Sequence, residues 1–284
     1  MSARHELNAP GAWYVDKRCI DCSAARTVAP GLIVKRGGQS VFARQPETPE
    51  ELAMAWRARL LCPTASVRSS EAAAHPPVPA FPEEMAPGIF RLGFNARSSY
   101  GAHSFLVRGK AGNAMVDAPR WTRAVVDAVE RLGGLAFILL THRDDVADAE
   151  RYARRFPAQV WIHADDGDAA PFATKMLQGS AARPIGPDWL AIPVPGHTKG
   201  SVVYLFEGHR LFTGDSLAWS FEREDLIAFL DACWFSWSEQ TRSLRRLLDY
   251  RFDWIFAGHG GSRYLPFEEM HRRLKGLVAR MEQD

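Results

Sequence analysis

Four segments between residues 138 and 261 share one pattern, an apolar strand-like run that ends in a turn carrying a histidine or an aspartate. They are "ILLTHRDDVAD" with His142, Asp144, Asp145 and Asp148, "PVPGHTKGS" with His197, "LFTGDSL" with Asp215, and "IFAGHGG" with His259. Taken singly, each is an ordinary turn, and an acidic run after a strand is an ordinary helix start because carboxylates favour the positive end of a helix. Taken together, in this order, they constrain the fold strongly. Imidazole and carboxylate are the ligands that suit zinc, iron and manganese. Strand ends on a rigid sheet hold such groups with the precision a metal site needs. Glycines at 196, 214, 258 and 260 allow tight turns and close backbone approach beside them.

The surrounding sequence is of the α/β class. "IFRLG", "HSFLVRG" and "NAMVDA" read as strands of a meander. "RWTRAVVDAVERLG" sets Trp121, Val125, Val129 and Leu132 at helical spacing and stops at Gly133. "AFILLT" is a continuous apolar run, the mark of a buried central strand. A helix is expected over Val146–Phe156, followed by a strand in "QVWIHA". "SVVYLF" and "HRLFTGD" form a hairpin around Glu207 and Gly208. "SEQTRSLRRLLDY" reads as a helix capped by Ser238, "DWIFAGHG" as a last strand, and a closing helix starts near Phe267. Strands then helix, twice over, predicts two halves packed sheet to sheet with helices outside.

Residues 63–87 contain six prolines among many Ala and Ser residues and read as an extended linker. That divides the chain into a small unit at 1–62, a linker at 63–87 and a domain at 88–284. The 284 residues suit two units at roughly ~150 residues per domain. Hydrophobic residues at 46% and charged residues at 24% exclude disorder as the main state. A net charge of +2 offers no electrostatic reason for a nucleic-acid or anionic-membrane partner. No apolar run is long enough to cross a bilayer, and "MSARHELNAPGAWYVDKR" lacks the apolar core of a signal peptide. The expected setting is cytoplasmic and the expected partner a small molecule.

The metal-ligand motifs resemble the metallo-β-lactamase-fold superfamily, which carries T-H-x-H-x-D-H, then G-H-T-x-G-S, then G-D, then a final G-H. The resemblance covers residues 88–284 and implies a four-layer αββα sandwich with a one- or two-metal site at one edge of the sheets. By this resemblance His142, Asp144 and His197 surround a first metal with Asp215 bridging, and Asp148 and His259 remain for a second. The first motif departs from the pattern, because Asp144 stands where the second histidine would be. Read without gaps, the following Asp-His pair falls on Val146 and Ala147. Read with two extra residues it falls on Asp148 and Ala149, similar to a subgroup running H-R-D-D-V-A-D-H, and this reading is preferred. Either way the last histidine is absent, which implies a well-formed first site and a weakened second. The implied cofactor is Zn2+, with Fe or Mn as alternatives. The implied chemistry is metal-assisted hydrolysis, in which a bound cation lowers the pKa of water from ~15.7 toward ~7. Asp148 is then the residue expected to orient that water or accept its proton. Lys199, beside Thr198, is expected to be solvated. Trp219, Trp234, Phe235 and Trp237 are expected chiefly in the core, with a pocket wall as the other reading.

Four cysteines are too few for a disulfide scaffold, and three of them fall at Cys19, Cys22 and Cys62. "CIDCSAAR" and "LLCP" resemble a single-cluster bacterial ferredoxin module over residues 11–66, with Pro63 after the last cysteine and "PEELAMAWRARLL" as its helix. That resemblance implies a small α+β ferredoxin-like fold and an iron–sulfur cluster on Cys19, Cys22 and Cys62. Ala25 occupies the remaining ligand position, so the expectation is a retained scaffold without a stable cluster. Cys233 is expected to be buried and inert. Three functional readings follow: a metal-dependent hydrolase, which is preferred, a mononuclear non-haem iron oxygenase or redox enzyme, and a non-catalytic metal-binding scaffold.

Overall fold

The computed structural model describes residues 3–71 and 80–283. In the N-terminal unit, β1 (Trp13–Val15), α1 (Ala24–Val28), β2 (Ile33–Arg36), β3 (Gln39–Phe42), α2 (Pro49–Leu61) and β4 (Val67–Ser69) follow in order. Strands β2 and β3 form a hairpin, and β1 pairs antiparallel with β4. Thr48 caps α2 by accepting from the Glu51 amide, and Pro49 sits at the first helical position, where its missing N–H costs nothing. Trp13, Phe42, Trp56 and Leu61 make a small core, with Trp13 and Trp56 edge to face at 5.5 Å.

The rest of the chain forms two sheets. The first contains β5 (Glu83–Ala86), β6 (Ile89–Arg91), β7 (Phe105–Val107), β8 (Ala114–Val116), β9 (Phe137–Leu139), β10 (Gln159–His163) and β11 (Lys175–Leu177). They lie side by side in sequence order, antiparallel from β5 to β8 and parallel from β8 to β11. The second contains β12 (Arg183–Ile185), β13 (Trp189–Pro193), β14 (Val202–Phe206) and β15 (Arg210–Gly214). After a separate hairpin, β16 (Ala218–Ser220) and β17 (Asp225–Ile227), it is completed by β18 (Trp254–Ala257) and β19 (Arg263–Tyr264), with β18 parallel to β15.

The period of two along a strand explains the layers. In β7 to β10, Phe105, Val107, Val116, Leu139 and Trp161 face Tyr204, Phe206, Phe212 and Phe256 of the second sheet. Their neighbours Leu106, Met115, Ile138, Val160 and Ile162 turn outward onto α3 (Arg123–Arg131) and α4 (Ala149–Arg155). In the second sheet Val203, Leu205, Leu211 and Ile255 turn outward onto α5 (Trp237–Arg246) and α6 (Phe267–Met281). Strands covered on both faces read as unbroken apolar runs, and two such sheets with helices outside make the expected αββα sandwich.

Some local expectations need correction. The stretch 63–87 is not one linker: β4 and β5 occupy its two ends, and residues 72–79 lie outside the described residues. Both are short strands, and β5 lies at a sheet edge between Pro82 and Pro87, where proline is tolerated. Helix α5 is capped by Ser236 rather than Ser238, because the Ser236 hydroxyl accepts from the Glu239 amide at 3.3 Å. Helix α4 starts only at Ala149.

The start of α5 braces the loop that carries His197. The Ser236 amide donates to the Gly196 carbonyl at 3.0 Å, and the Ser243 hydroxyl donates to the Pro195 carbonyl at 2.8 Å. A Cβ on Gly196 would lie 2.3 Å from Gln240 Cβ and 2.4 Å from its Cα. Overpacking against helix backbone costs ~1–3 kcal/mol, so Gly196→Ala lowers stability by about that amount, read as a shift in the denaturant midpoint at unchanged slope.

Candidate metal centre

The candidate ligands other than Asp148 gather where β9, β13, β15 and β18 run out into loops. His142 follows β9, His197 follows β13, Asp215 follows β15 and His259 follows β18. Two carboxylates aim the loops. Asp117 accepts from the Thr141 amide and the Thr141 hydroxyl, each at 2.8 Å. With its proton given to Asp117, the Thr141 oxygen accepts from His142 Nδ1 at 2.9 Å. His142 is then protonated on Nδ1, and its Nε2 turns a bare lone pair into the site. Asp166 accepts from the Arg143 amide (3.0 Å), the Thr198 hydroxyl (2.5 Å) and the Gly200 amide (3.2 Å), so one buried carboxylate ties the His142 loop to the His197 loop.

The donor atoms gather in two overlapping groups of three, His142–Asp144–His197 and His142–Asp145–Asp215. His142 Nε2 is 4.0 Å from Asp144 Oδ2 and 3.7 Å from Asp215 Oδ2, and His197 Nε2 is 3.4 Å from Asp144 Oδ2 and 3.7 Å from Asp215 Oδ2. Donors about 2.1 Å from a single tetrahedral ion lie about 3.4 Å apart, so these separations are close to the edges of such a site. The Nε2 atoms of His142 and His197 are buried with no hydrogen-bond partner. Burial pushes His142 down to about 4, which leaves it neutral and able to ligate at neutral pH. The residues fit a metal ion of the zinc or iron type.

Asp145 also points into the site, and the sequence reading did not place it there. Both its carboxylate oxygens are buried without a hydrogen-bond partner, and with His142 and Asp215 it forms a second three-residue ligand group. Burial, then the charges of Asp215, Asp117 and Asp144, raise its carboxyl well above the ordinary range. The geometry explains why Asp145 and not Asp148 is here. Residues 143–145 form a 3₁₀ turn, and residues three apart eclipse in that helix, so Asp145 follows His142 onto the same face. Asp148 lies beyond Ala147, which has positive φ, and its carboxylate accepts from the Trp121 amide at 2.6 Å. It is therefore corrected from proton acceptor and second-metal ligand to a brace between α4 and the start of α3.

His259 is present but engaged. Its Nδ1 is 2.9 Å from both Asp215 oxygens and its Nε2 is 3.3 Å from the Tyr100 carbonyl. Burial would lower its pKa, but Asp215 and the Tyr100 carbonyl outweigh that and raise it. Burial would likewise raise Asp215, but His259, His142 and His197 hold it below the carboxylate range. A Cβ on Gly258 would lie 2.9 Å from Asp215 Oδ1 and 3.0 Å from Asp145 Oδ2, so glycine there lets both carboxylates approach the backbone.

Comparison with known families decides the ancestry. The family model described as "Metallo-beta-lactamase superfamily" matches residues 100–259. The chain belongs to the metallo-beta-lactamase superfamily. A second model, "4Fe-4S single cluster domain of Ferredoxin I", matches residues 15–69. Among curated relatives, a hydroxyacylglutathione hydrolase of Acidiphilium cryptum is 38% identical over 126 residues, 40% of this chain and 49% of that protein. Another, of Xanthomonas campestris, is 33% identical over 110 residues, 37% of this chain and 42% of that protein. The chain thus spans less than half the length of these curated relatives. The solved structures of the DIM-1 and TMB-1 metallo-beta-lactamases are 18% and 16% identical, with TM-scores of 0.54 and 0.55. Each covers 70% of this chain, and 96% and 97% of those chains respectively, which shows the shared fold.

In this superfamily member the aromatic segment divides. Trp219 is in the core, whereas Trp234 is 67% exposed at the cleft, its ring 6.3 Å from that of His197. Phe235 is exposed as well. Lys199 pairs with Asp165 at 2.8 Å on the surface. Cys233 is half-buried rather than enclosed, and its thiol donates to the Gly196 carbonyl.

In the N-terminal unit Cys19, Cys22 and Cys62 line one cavity, and Cys19 and Cys62 accept from the Asp21 and Ser66 amides at 3.4 and 3.2 Å. Ala25 lines the same cavity, and its methyl cannot ligate iron, so a cluster held by four thiolates does not fit. Burial, with Cys62 and Cys19 adding to it, pushes the Cys22 thiol up to about 12.

If Asp166 is the tie between the two ligand loops, Asp166→Ala weakens metal binding by ~10–100-fold, the usual effect of removing a group that orients ligands. Competition with a chromophoric chelator measures this directly.

Proposed function

We propose that this chain is a hydrolase that works with one metal ion, held by His142, Asp144 and His197 with Asp215 alongside and one position left for water, and cleaves a small acyl thioester. The observation that carries the reading is the convergence of two unpartnered Nε2 atoms and two carboxylates at separations of 3.4–4.0 Å. When bound, such an ion supplies a nucleophilic hydroxide at neutral pH and polarises the carbonyl under attack. Asp145 lies on the cleft wall with a buried carboxylate free of hydrogen bonds, placed to take a proton from water at the centre. Asp215 is fixed by His259, so its position does not depend on a second ion. His259 holds Asp215 through Nδ1 and meets the Tyr100 carbonyl through Nε2.

The thioester class rests on the partial relationship to hydroxyacylglutathione hydrolases. Two histidines and a carboxylate also suit mononuclear iron oxygenases. The hydrolase is favoured by the partial relationship to hydroxyacylglutathione hydrolases.

Metal analysis of protein loaded and then desalted gives about one equivalent per chain, held by His142, Asp144 and His197 with water in the fourth position. Retention of two equivalents would overturn the single-site reading. With hydroxyacylglutathione as probe, thiol release is lost on chelation and returns with added zinc. Asp145→Asn retains metal and lowers kcat by at least ~100-fold, within the range of a lost proton acceptor. Asp148→Asn keeps kcat within about twofold and lowers stability by ~1 kcal/mol, the difference between a charge-assisted and a neutral hydrogen bond to the Trp121 amide.

A further inference from the structure

The N-terminal unit does more than precede the metal centre. It forms one wall of the cleft above it. That cleft has a volume of about 880 Å³, within the range that encloses a small-molecule ligand. One side is built by Asp144, His197 and Trp234, and the facing side by Asp21, Arg26 and Lys35 of the ferredoxin-like unit. Arg26 and Lys35 also border the adjoining groove that runs along the β16–β17 hairpin past Phe221, so they stand between two parts of one long depression.

The unit is tied to the metal centre chiefly by the loop at residues 95–101, with Arg57–Glu83 and Arg120–Leu60 contacts beside it. The Asn95 amide donates to the Leu61 carbonyl at the end of α2 at 3.2 Å. The Tyr100 hydroxyl donates to the Ile20 carbonyl, while the Tyr100 carbonyl faces His259. A Cβ on Gly101 would lie 2.8 Å from Cys22 Sγ, so the two units meet there backbone to side chain. Arg26 and Lys35 are therefore placed relative to the metal ligands by direct contacts.

We infer that Arg26 and Lys35 form an anion subsite that holds a carboxylate-bearing carrier of the substrate while the acyl group reaches the metal centre. This rests on the acyl-hydrolase reading above. Asp21 takes one contact from each cation, at 2.5 Å from Arg26 and 2.7 Å from Lys35, so the trio keeps one net positive charge. Lys35 has three N–H donors and uses one on Asp21, and its side chain is 60% exposed toward the cleft. Arg26 is held more firmly, since it also donates to the Ser40 hydroxyl at 2.6 Å. Among the described residues, these are the Arg and Lys side chains on the cleft wall, and the floor opposite is acidic. An anionic group is thereby drawn to the ferredoxin-like side and kept off Asp144 and Asp145, which orients an elongated substrate by charge.

The test uses the full chain loaded with zinc and two thioethers that cannot be hydrolysed, S-hexylglutathione and its diethyl ester, compared by calorimetric titration. The acid binds about tenfold tighter than the ester, the size of one charge-assisted hydrogen bond. Lys35→Gln brings the two to within about twofold, and Lys35→Arg restores the preference. Equal binding of acid and ester by the unmodified chain, a preference that survives Lys35→Gln, or no binding of either thioether would overturn the subsite. Thiol release from hydroxyacylglutathione separates the two claims. Turnover without acid preference sinks the subsite and leaves the hydrolase, and acid preference without turnover does the reverse.

Discussion

Four carboxylates, Asp117, Asp144, Asp145 and Asp215, meet at the ends of the central strands, and three of them are buried. Such a group is untenable as four bare anions, because burying an uncompensated charge costs several kcal/mol. The structure divides the load. Asp117 takes two hydrogen bonds from Thr141, and Asp215 leans on His259. Asp145 takes nothing, and Asp144 has only the neighbouring imidazoles. The remaining deficit is a positive charge at the point where His142 and His197 also leave nitrogen lone pairs unused. A cation meets both demands, and that one requirement accounts for the buried lone pairs, the glycine at 258 and the elaborate aiming of His142.

The aiming has a mechanical side. Ligands come from separate loops, and a site loose by an ångström holds metal poorly. Asp166 joins the loops of His142 and His197, helix α5 presses on Gly196, and Tyr100 joins His259 to the N-terminal unit. Positional order in the centre is therefore shared among groups that never touch a substrate.

Much of this was legible in the sequence, for a physical reason. Strands buried on both faces leave unbroken apolar runs, and the turns carrying His142, His197, Asp215 and His259 follow those runs at once, so two sheet-packed halves and those turns stood out, while the αββα sandwich and the ligand roles came from the family resemblance. Asp145 did not stand out, because the choice between Asp145 and Asp148 turns on a single 3₁₀ turn that puts residues 142 and 145 on one face. The only local signal was the doubled aspartate itself. Asp166 was hidden in "HADDGD", where its neighbours are solvated acids of the same type. The exposure of Trp234 depends on the loop between β17 and α5, which has no periodicity to read. Strands β4 and β5 were concealed by proline-rich composition, since three- and four-residue edge strands need few apolar residues.

The N-terminal unit poses the sharpest question of economy. A chain of about 60 residues is marginal as an independent fold, and Ala25 removes one of the thiolates that would otherwise staple it. Its small aromatic core compensates in part, but the unit also leans on the larger domain through Leu61, Ile20 and Glu83, the last paired with both Arg57 and Arg91. These contacts in turn fix one surface of the unit against the metal-bearing domain. Here that surface is the wall carrying Arg26 and Lys35, which the metal centre's own loops, lined with acids, cannot supply.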